Sequence, residues 1–208
     1  MYNKLMAALQ AREPRAAFIR ASADARRLAL IAACARTLAR KGAHGMSVRE
    51  ICAEAGVSAG LLRHYFAGID DLVAATYRQT GQQVQAALEA AVAMAGSDPK
   101  ARLLAYLTAS FAPPIADADL LATWLAFWSL TRTDPAIATL HGEIYAENRR
   151  ALEALLCAYA PGREHRLTAI ALTALVDGLW LELSLGDAPF SAEEATQLAE
   201  HWLASLLP

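Results

Sequence analysis

The stretch "SVREICAEAGVSAGLLRHYF", residues 47–66, most limits what this chain can fold into. Ser47 and Glu50 stand at capping-box spacing, which starts a helix at Val48. Val48, Ile51, Cys52 and Ala55 share one face of that helix. Gly56 ends it, and only Gly56 and Val57 precede Ser58, a cap for a second helix running to about Phe66. Two short helices across so tight a turn form a helix-turn-helix. Leu61, Leu62 and Phe66 then face inward, leaving Arg63, His64 and Tyr65 outside.

Such a unit lays its second helix in the major groove of duplex DNA while the first crosses the backbone. Ala59 and Gly60 keep the leading turn narrow where it meets base edges. Arg63 is placed to read guanine O6 and N7, and Arg49 of the first helix is a second candidate reader. Ser47, His64 and Tyr65 are candidate phosphate contacts. The charge distribution agrees. The chain carries a net charge of −2, yet through Thr80 it holds 12 Lys and Arg against 6 Asp and Glu, and beyond that 7 against 15. A basic first part points to a polyanion partner for that part alone.

Beyond this unit nearly every segment reads as helix, and nothing alternates with period two, so the fold class is all-α. Residues 1–21 form a basic extension interrupted by Pro14, carrying Arg12, Arg15 and Arg20. A helix is expected from Ser22 to Lys41, with Leu28, Ile31, Ala35 and Leu38 inward and Gly42 at its end. A long helix follows from Asp70 to Met94. Further helices are expected at about 100–112, 119–132, 135–159, 163–185 and 191–207, the last opened by a Ser191–Glu194 capping box. A helix-turn-helix domain over 22–80 therefore passes into a second domain over 81–208 within the long helix rather than at a linker.

Hydrophobic residues make up 56% of the chain, enough for a sizeable core. Cys34, Cys52 and Cys157 are odd in number and widely spaced, and read as reduced thiols, which suits a cytoplasmic setting. The N-terminal stretch lacks the pattern of a secretory signal. Residues 167–186 approach membrane length, but Asp177 and Glu182 would each cost about 3 kcal/mol near a bilayer centre. A buried soluble helix is the expectation, with no membrane partner.

The pattern carried by Gly56, Val57, Ser58, Gly60, Leu62, Tyr65, Phe66 and Leu72 resembles the DNA-binding domain of the tetracycline-repressor (TetR) family of bacterial transcription regulators. The resemblance implies a homodimer of about nine helices per chain. Three of them form the DNA-binding domain, and the rest form an effector-binding and dimerisation domain. It also implies an inverted-repeat operator on double-stranded DNA and repression relieved by a small effector. The family's contact positions fall on Ser47, Arg49, Ala59, Gly60, Arg63, His64 and Tyr65. Two positions depart: Arg63 stands where an aromatic is frequent, and Ile69 stands where many members place a phosphate-gripping lysine.

In the second domain, Trp124, Phe127 and Trp128 recur at i, i+3 and i+4 on one helical face. They either fill a core or wall a pocket, together with Tyr145 and Trp180. Asp177 sits mid-helix in an almost uncharged run, and a buried carboxylate needs a partner. Arg149, Arg150 or a helix N-terminus would serve. A cationic ligand held against aromatic faces would serve as well. Glu182 lies about 140° around the helix from Asp177, so the two acids do not share a site. The segments "WLAFW", "NRR" and "ALVDGLWLELSLG" resemble the C-terminal domain of the choline-responsive, BetI-like subgroup, which implies a quaternary amine or other cation as effector. The 163–185 helix is apolar nearly all round, and 191–207 carries Ala195, Leu198, Ala199, Trp202, Leu203 and Leu206 in a stripe. Leu198, Trp202 and Leu206 are the expected dimer contacts.

No nucleophile–base arrangement, phosphate loop or metal spacing is present, so the reading is of no enzyme, no cofactor and no metal. His44, His64, His141, His165 and His201 are scattered, and His141 beside Glu143 reads as surface. The rival class is a helical ligand-binding or scaffold protein without specific DNA binding, which would not require Arg63, His64 and Tyr65 on a basic half.

Overall fold

The computed structural model of the chain describes residues 15–185 and 189–206. The described residues form nine helices and no strand. They are α1 (Arg15–Lys41), α2 (Val48–Ala55), α3 (Ala59–Tyr65), α4 (Ile69–Met94) and α5 (Pro99–Ala109), then α6 (Ala118–Leu130), α7 (Pro135–Tyr159), α8 (Arg166–Ser184) and α9 (Ala192–Leu206). The all-α expectation holds. The part of the extension carrying Arg12 lies outside the described residues.

Local chemistry sets most of the helix ends. Ser47 and Ser58 accept hydrogen bonds from the backbone N–H of Glu50 and Leu61. Asp98, Asp117 and Asp134 do the same for α5, α6 and α7, and Pro99 and Pro135 occupy first turns where no N–H is needed. Ser191 and Glu194 form the expected reciprocal pair ahead of α9. Gly56 has φ of 65°, a left-handed conformation that turns α2 sharply into α3.

The first helix differs from its expected form. It begins at Arg15 rather than Ser22. Its buried face is Leu30, Ile31, Ala33, Cys34, Thr37 and Leu38, whereas Leu28 is 49% exposed and Ala35 only half-buried. The cause is tertiary. α1 packs against α2 and α4 on one side and α6 on another, so its buried arc is wide and turned away from Leu28. Thr123 of α6 donates to the Ala35 carbonyl at 3.2 Å and pins that second contact.

α4 joins the two halves. α4 packs on α1, with Leu72, Val73 and Tyr77 buried in its first half and Val84, Leu88 and Val92 continuing the buried face beyond them. α4 also packs on α5 and α7. At Gly81 an added Cβ would lie 3.1 Å from Ile144 Cδ1, so the α4 backbone approaches α7 closely there.

α8 starts at Arg166, with His165 buried before it and bonded through Nε2 to the Ala160 carbonyl at 2.7 Å. Its apolar surface divides in two. Ala169, Leu172, Leu179 and Trp180 face the chain's own core. Leu167 (65% exposed), Ile170, Ala174, Gly178, Leu181 and Leu185 (67% exposed) form an outward stripe. α9 divides the same way. Ala195, Ala199 and Leu203 are buried, Leu198 and Trp202 are half-buried, and Leu206 is exposed. Among the described residues no helix is long and apolar enough to cross a membrane.

Candidate functional site

The short helix α3 presents two faces of opposite character. Leu62 and Phe66 are buried, and the Arg27 guanidinium lies 5.0 Å above the Phe66 ring, tying α1 to the end of α3. Leu61, expected inside, is only half-buried. Ala59, Gly60, Arg63 and His64 are exposed together on the other side. His64 meets Tyr65 edge to face, with ring centroids 5.0 Å apart, while Tyr65 itself packs partly against the core.

Not all of the positive charge in this half is free. Arg36 and Arg40 of α1 pair with Glu54, and Lys41 pairs with Glu50. These bridges clamp α1 to α2 and hold both glutamates below their usual carboxylate range, chiefly through the hydrogen bonds from Arg36 and Lys41. Arg49 and Arg63 are exposed and make no ion pair among the described residues. Ser47 exchanges hydrogen bonds with Glu50 at 3.3 Å, so its hydroxyl first serves the cap. Ile69 is half-buried against the core, and Asp71 behind it accepts from the Ala67 N–H at 3.0 Å. The start of α4 thus offers hydrophobic and acidic groups where a lysine would grip phosphate.

The second site lies between α4, α5, α6, α7 and α8. A partly open cavity of about 60 Å³ is walled by Tyr106, Trp124, Tyr145 and Trp180, with Asp177 as its acid. Val84 and Leu88 of α4 also line it. Trp124 and Trp180 meet edge to face at 5.7 Å, and the Trp180 indole donates to the Ser110 carbonyl at 2.9 Å.

Tyr145 organises this cavity. Its hydroxyl oxygen accepts from Trp124 Nε1 at 3.3 Å and from Trp128 Nε1 at 3.0 Å. An indole N–H can only donate, so both acceptor positions are taken and the phenolic proton must go outward. It goes to Asp177 Oδ1 at 3.1 Å. The bonding direction is therefore forced by the donor–acceptor inventory. Asp177 finds its partner in a tyrosine hydroxyl, and no ion pair joins it to Arg149 or Arg150 among the described residues. Burial pushes the Asp177 carboxyl up to about 6, against the opposing pull of Tyr145 and the positive field of Arg149.

The expected aromatic trio does not act as one wall. Trp124 faces the aromatic cavity. Trp128 lines a shallower opening on the far side of Tyr145 and Asp177, with Thr131, His141, Gly178 and Leu181. Phe127 lines neither. It is fully buried and stacks on Tyr77 at 4.1 Å, because the i+3 position points between α6 and α4. Glu182, as expected, is exposed and apart. His141, expected at the surface, is half-buried. Its Nδ1 bonds the Tyr77 hydroxyl at 2.8 Å and its ring lies 4.2 Å from that of Tyr145. Burial, aided by Arg149, lowers its basicity. Tyr106 and Tyr77 also belong to this neighbourhood, and their aromatic character is the one signal in the sequence that could have pointed to them.

A regulator that reads duplex DNA and answers to a small molecule is the class these two sites define. Residues 30–76 match the bacterial regulatory proteins of the tetR family, and residues 99–208 match the BetI-type transcriptional repressor C-terminal domain. The chain is 34% identical over 187 residues to the HTH-type transcriptional regulator BetI of Burkholderia thailandensis, covering 88% of this chain and 94% of that one. A transcriptional regulator of Pseudomonas aeruginosa PAO1 superposes with a TM-score of 0.80 at 39% identity, over 88% of this chain and 90% of the other. A regulator of Saccharomonospora viridis in complex with choline shares the fold at 21% identity, with a TM-score of 0.72 over 86% and 95% of the two chains. The chain belongs to the TetR family of DNA-binding regulators and carries its BetI-type C-terminal domain. It is a ligand-responsive transcriptional repressor by family, and the relatives are regulators rather than enzymes or scaffolds.

The raised Asp177 value has a thermodynamic consequence. Between about pH 4 and pH 6 the folded chain holds a proton there that the unfolded chain has released, so stability falls as pH rises through that window. Asp177→Asn keeps an acceptor for Tyr145 and removes the titration. Relative to wild type, the variant is expected to gain up to about 3 kcal/mol at pH 7.5 and almost nothing at pH 4. Urea denaturation of both proteins at the two pH values checks this.

Proposed function

We propose that the effector is a small organic cation of the quaternary ammonium class, bound in the aromatic cavity by Tyr106, Trp124, Tyr145 and Trp180 around Asp177. One observation carries the reading. A carboxylate, disfavoured by burial, faces an aromatic cavity and has a neutral hydroxyl as its hydrogen-bond partner. A cation in the cavity would supply the missing charge, and the ring faces would add about 0.5–2 kcal/mol per contact. The cavity is small, which limits a ligand held there to a few heavy atoms. Trp128 contributes by orienting Tyr145 from outside, and Phe127 by backing Tyr77.

The reading extends to assembly and to DNA. Leu167, Ile170, Ala174, Gly178, Leu181 and Leu185 recur at spacings of three and four on one face of α8. Leu198, Trp202 and Leu206 add a second apolar strip on α9. Two copies pairing these helices would bury both strips in a four-helix contact, with Ala174 and Gly178 admitting a close crossing. The dimer would set two α3 helices on an inverted-repeat operator, in the bacterial cytoplasm. There Arg63 and Arg49 read bases, while Ala59 and Gly60 give clearance and Ser47, His64 and Tyr65 contact the backbone. Effector binding would favour a helix arrangement that misplaces the two α3 helices, by no more than its differential affinity for the two arrangements.

Ile170→Glu places a charge in the middle of the α8 stripe, where it touches little of its own core. It is expected to leave the helical content unchanged and convert the dimer to monomer by sedimentation at micromolar concentration. A wild-type monomer under the same conditions refutes the dimer.

Arg63→Ala is expected to cost about 1–3 kcal/mol at one base position per half-site and to relax preference there. His64→Ala should weaken all sequences alike. Selection of bound duplexes from a random pool, repeated with each variant, separates the two effects.

Calorimetric titration with choline tests the effector class. Binding to wild type is expected, growing stronger as pH rises through about 6 because the cation favours ionised Asp177. Asp177→Asn should lose about tenfold or more in affinity, equivalent to about 1.4 kcal/mol. No heat with choline, betaine aldehyde or polyamines, together with a fall of about 3–5 kcal/mol in stability for Trp124→Ala, would make the aromatics plain core.

A further inference from the structure

Tyr77 is a fully buried tyrosine on α4 whose hydroxyl leaves its own helix to bond His141 of α7. It sits about 12 Å along α4 from the end that enters the DNA-binding domain. The cavity-lining residues of the same helix, Val84 and Leu88, lie about 10–16 Å farther on. The polar attachment of α4 to α7 is thus nearer the DNA-binding end than the cavity wall is.

The other side of this attachment leads to the cavity acid. His141 lies ring to ring with Tyr145 at 4.2 Å, and Tyr145 is bonded to Asp177 at 3.1 Å. Tyr77 has no room to absorb a movement. It is stacked on Phe127 at 4.1 Å and meets Trp124 edge to face at 5.6 Å. One turn along α4, Gly81 is pressed against Ile144, one turn along α7 from His141. A shift of the Tyr145 ring therefore meets His141, and a shift of His141 meets a tyrosine that cannot move without its helix.

We propose that the Tyr77–His141 hydrogen bond is the latch by which the cavity holds α4, so that a change at Asp177 reaches the DNA-binding domain through Tyr145, His141 and Tyr77. Tyr77 is not itself part of the cavity lining, although it packs on the outer side of Trp124, and it is a positioning residue. The route rests on the effector site described above, and it differs from a direct push of ligand on Val84 and Leu88.

Two measurements test it. The first uses choline as the probe. In Tyr77→Phe, which removes one oxygen atom, calorimetric choline affinity stays within about threefold of wild type, while the choline-induced loss of DNA affinity shrinks about tenfold or more. His141→Phe combined with Tyr77→Phe weakens the response no further than Tyr77→Phe alone, since both remove one bond. His141→Asn, which restores an acceptor, recovers part of the response, and His141→Leu does not. A full response in Tyr77→Phe overturns the latch and leaves coupling to Val84 and Leu88.

The second measurement needs no ligand. Tyr145→Phe is expected to speed hydrogen exchange of the α4 amides at 69–80 severalfold in the wild-type background and to have no such effect in the Tyr77→Phe background. Equal changes in both backgrounds, or none in either, overturn the latch. If wild type does not bind choline, the effector class fails and this second measurement still decides the latch.

Discussion

An uninterrupted helix of 26 residues, about 39 Å long, is the constraint on which the rest of this structure depends. α4 begins just after α3 and ends beyond the cavity wall. The helix has no internal hinge: among its described residues there is no proline, and its one glycine, Gly81, is packed against α7. A rigid rod shared by two domains converts a local rearrangement in one into a displacement of the other. The family's ligand response thus has a mechanical basis in the length and continuity of one element.

Around that rod the polar groups are few, and at Tyr145 they are fully engaged. The Tyr145 hydroxyl accepts two indole donors and donates once, which exhausts its capacity. A saturated hydroxyl has one orientation, so Trp124, Trp128 and Asp177 are positioned by a single oxygen. This polar centre in an otherwise apolar interior specifies one arrangement of α6, α7 and α8, where hydrophobic packing alone would tolerate several. Its cost is a carboxylate held away from water, which the proposed cation would relieve.

Much of this was legible in the sequence, for identifiable reasons. The caps at Ser47, Ser58 and Ser191 and the turn at Gly56 depend on interactions within four residues, so local pattern suffices. The inward set of α1 was misjudged because Leu28 obeys helical periodicity but α6 claims the neighbouring arc instead. Trp124, Trp128, Tyr145, Trp180 and Asp177 were drawn together by residue type; the structure joins all but Trp180 at one hydrogen-bonded centre, and Trp180 packs beside it on Trp124. Phe127 was grouped with them because i, i+3 and i+4 share a face, yet a face of that width spans both cavity and core. His141 was read as surface from the charged Glu143 near it. Its bond to Tyr77 crosses 64 positions of chain, and nothing local announces a contact of that range.

The clamp between α1 and α2 bears on how this regulator meets a chromosome. Arg36, Arg40 and Lys41 spend their charge on Glu50 and Glu54 inside the protein, and the first turn of α4 adds Asp70 and Asp71. These three charges are already partnered when the protein meets a duplex, so they add little to the release of condensed cations. In the proposed dimer, residence on an operator would then lean on the fit of the two α3 helices to the right bases, and a modest displacement of those helices would be enough to empty the site.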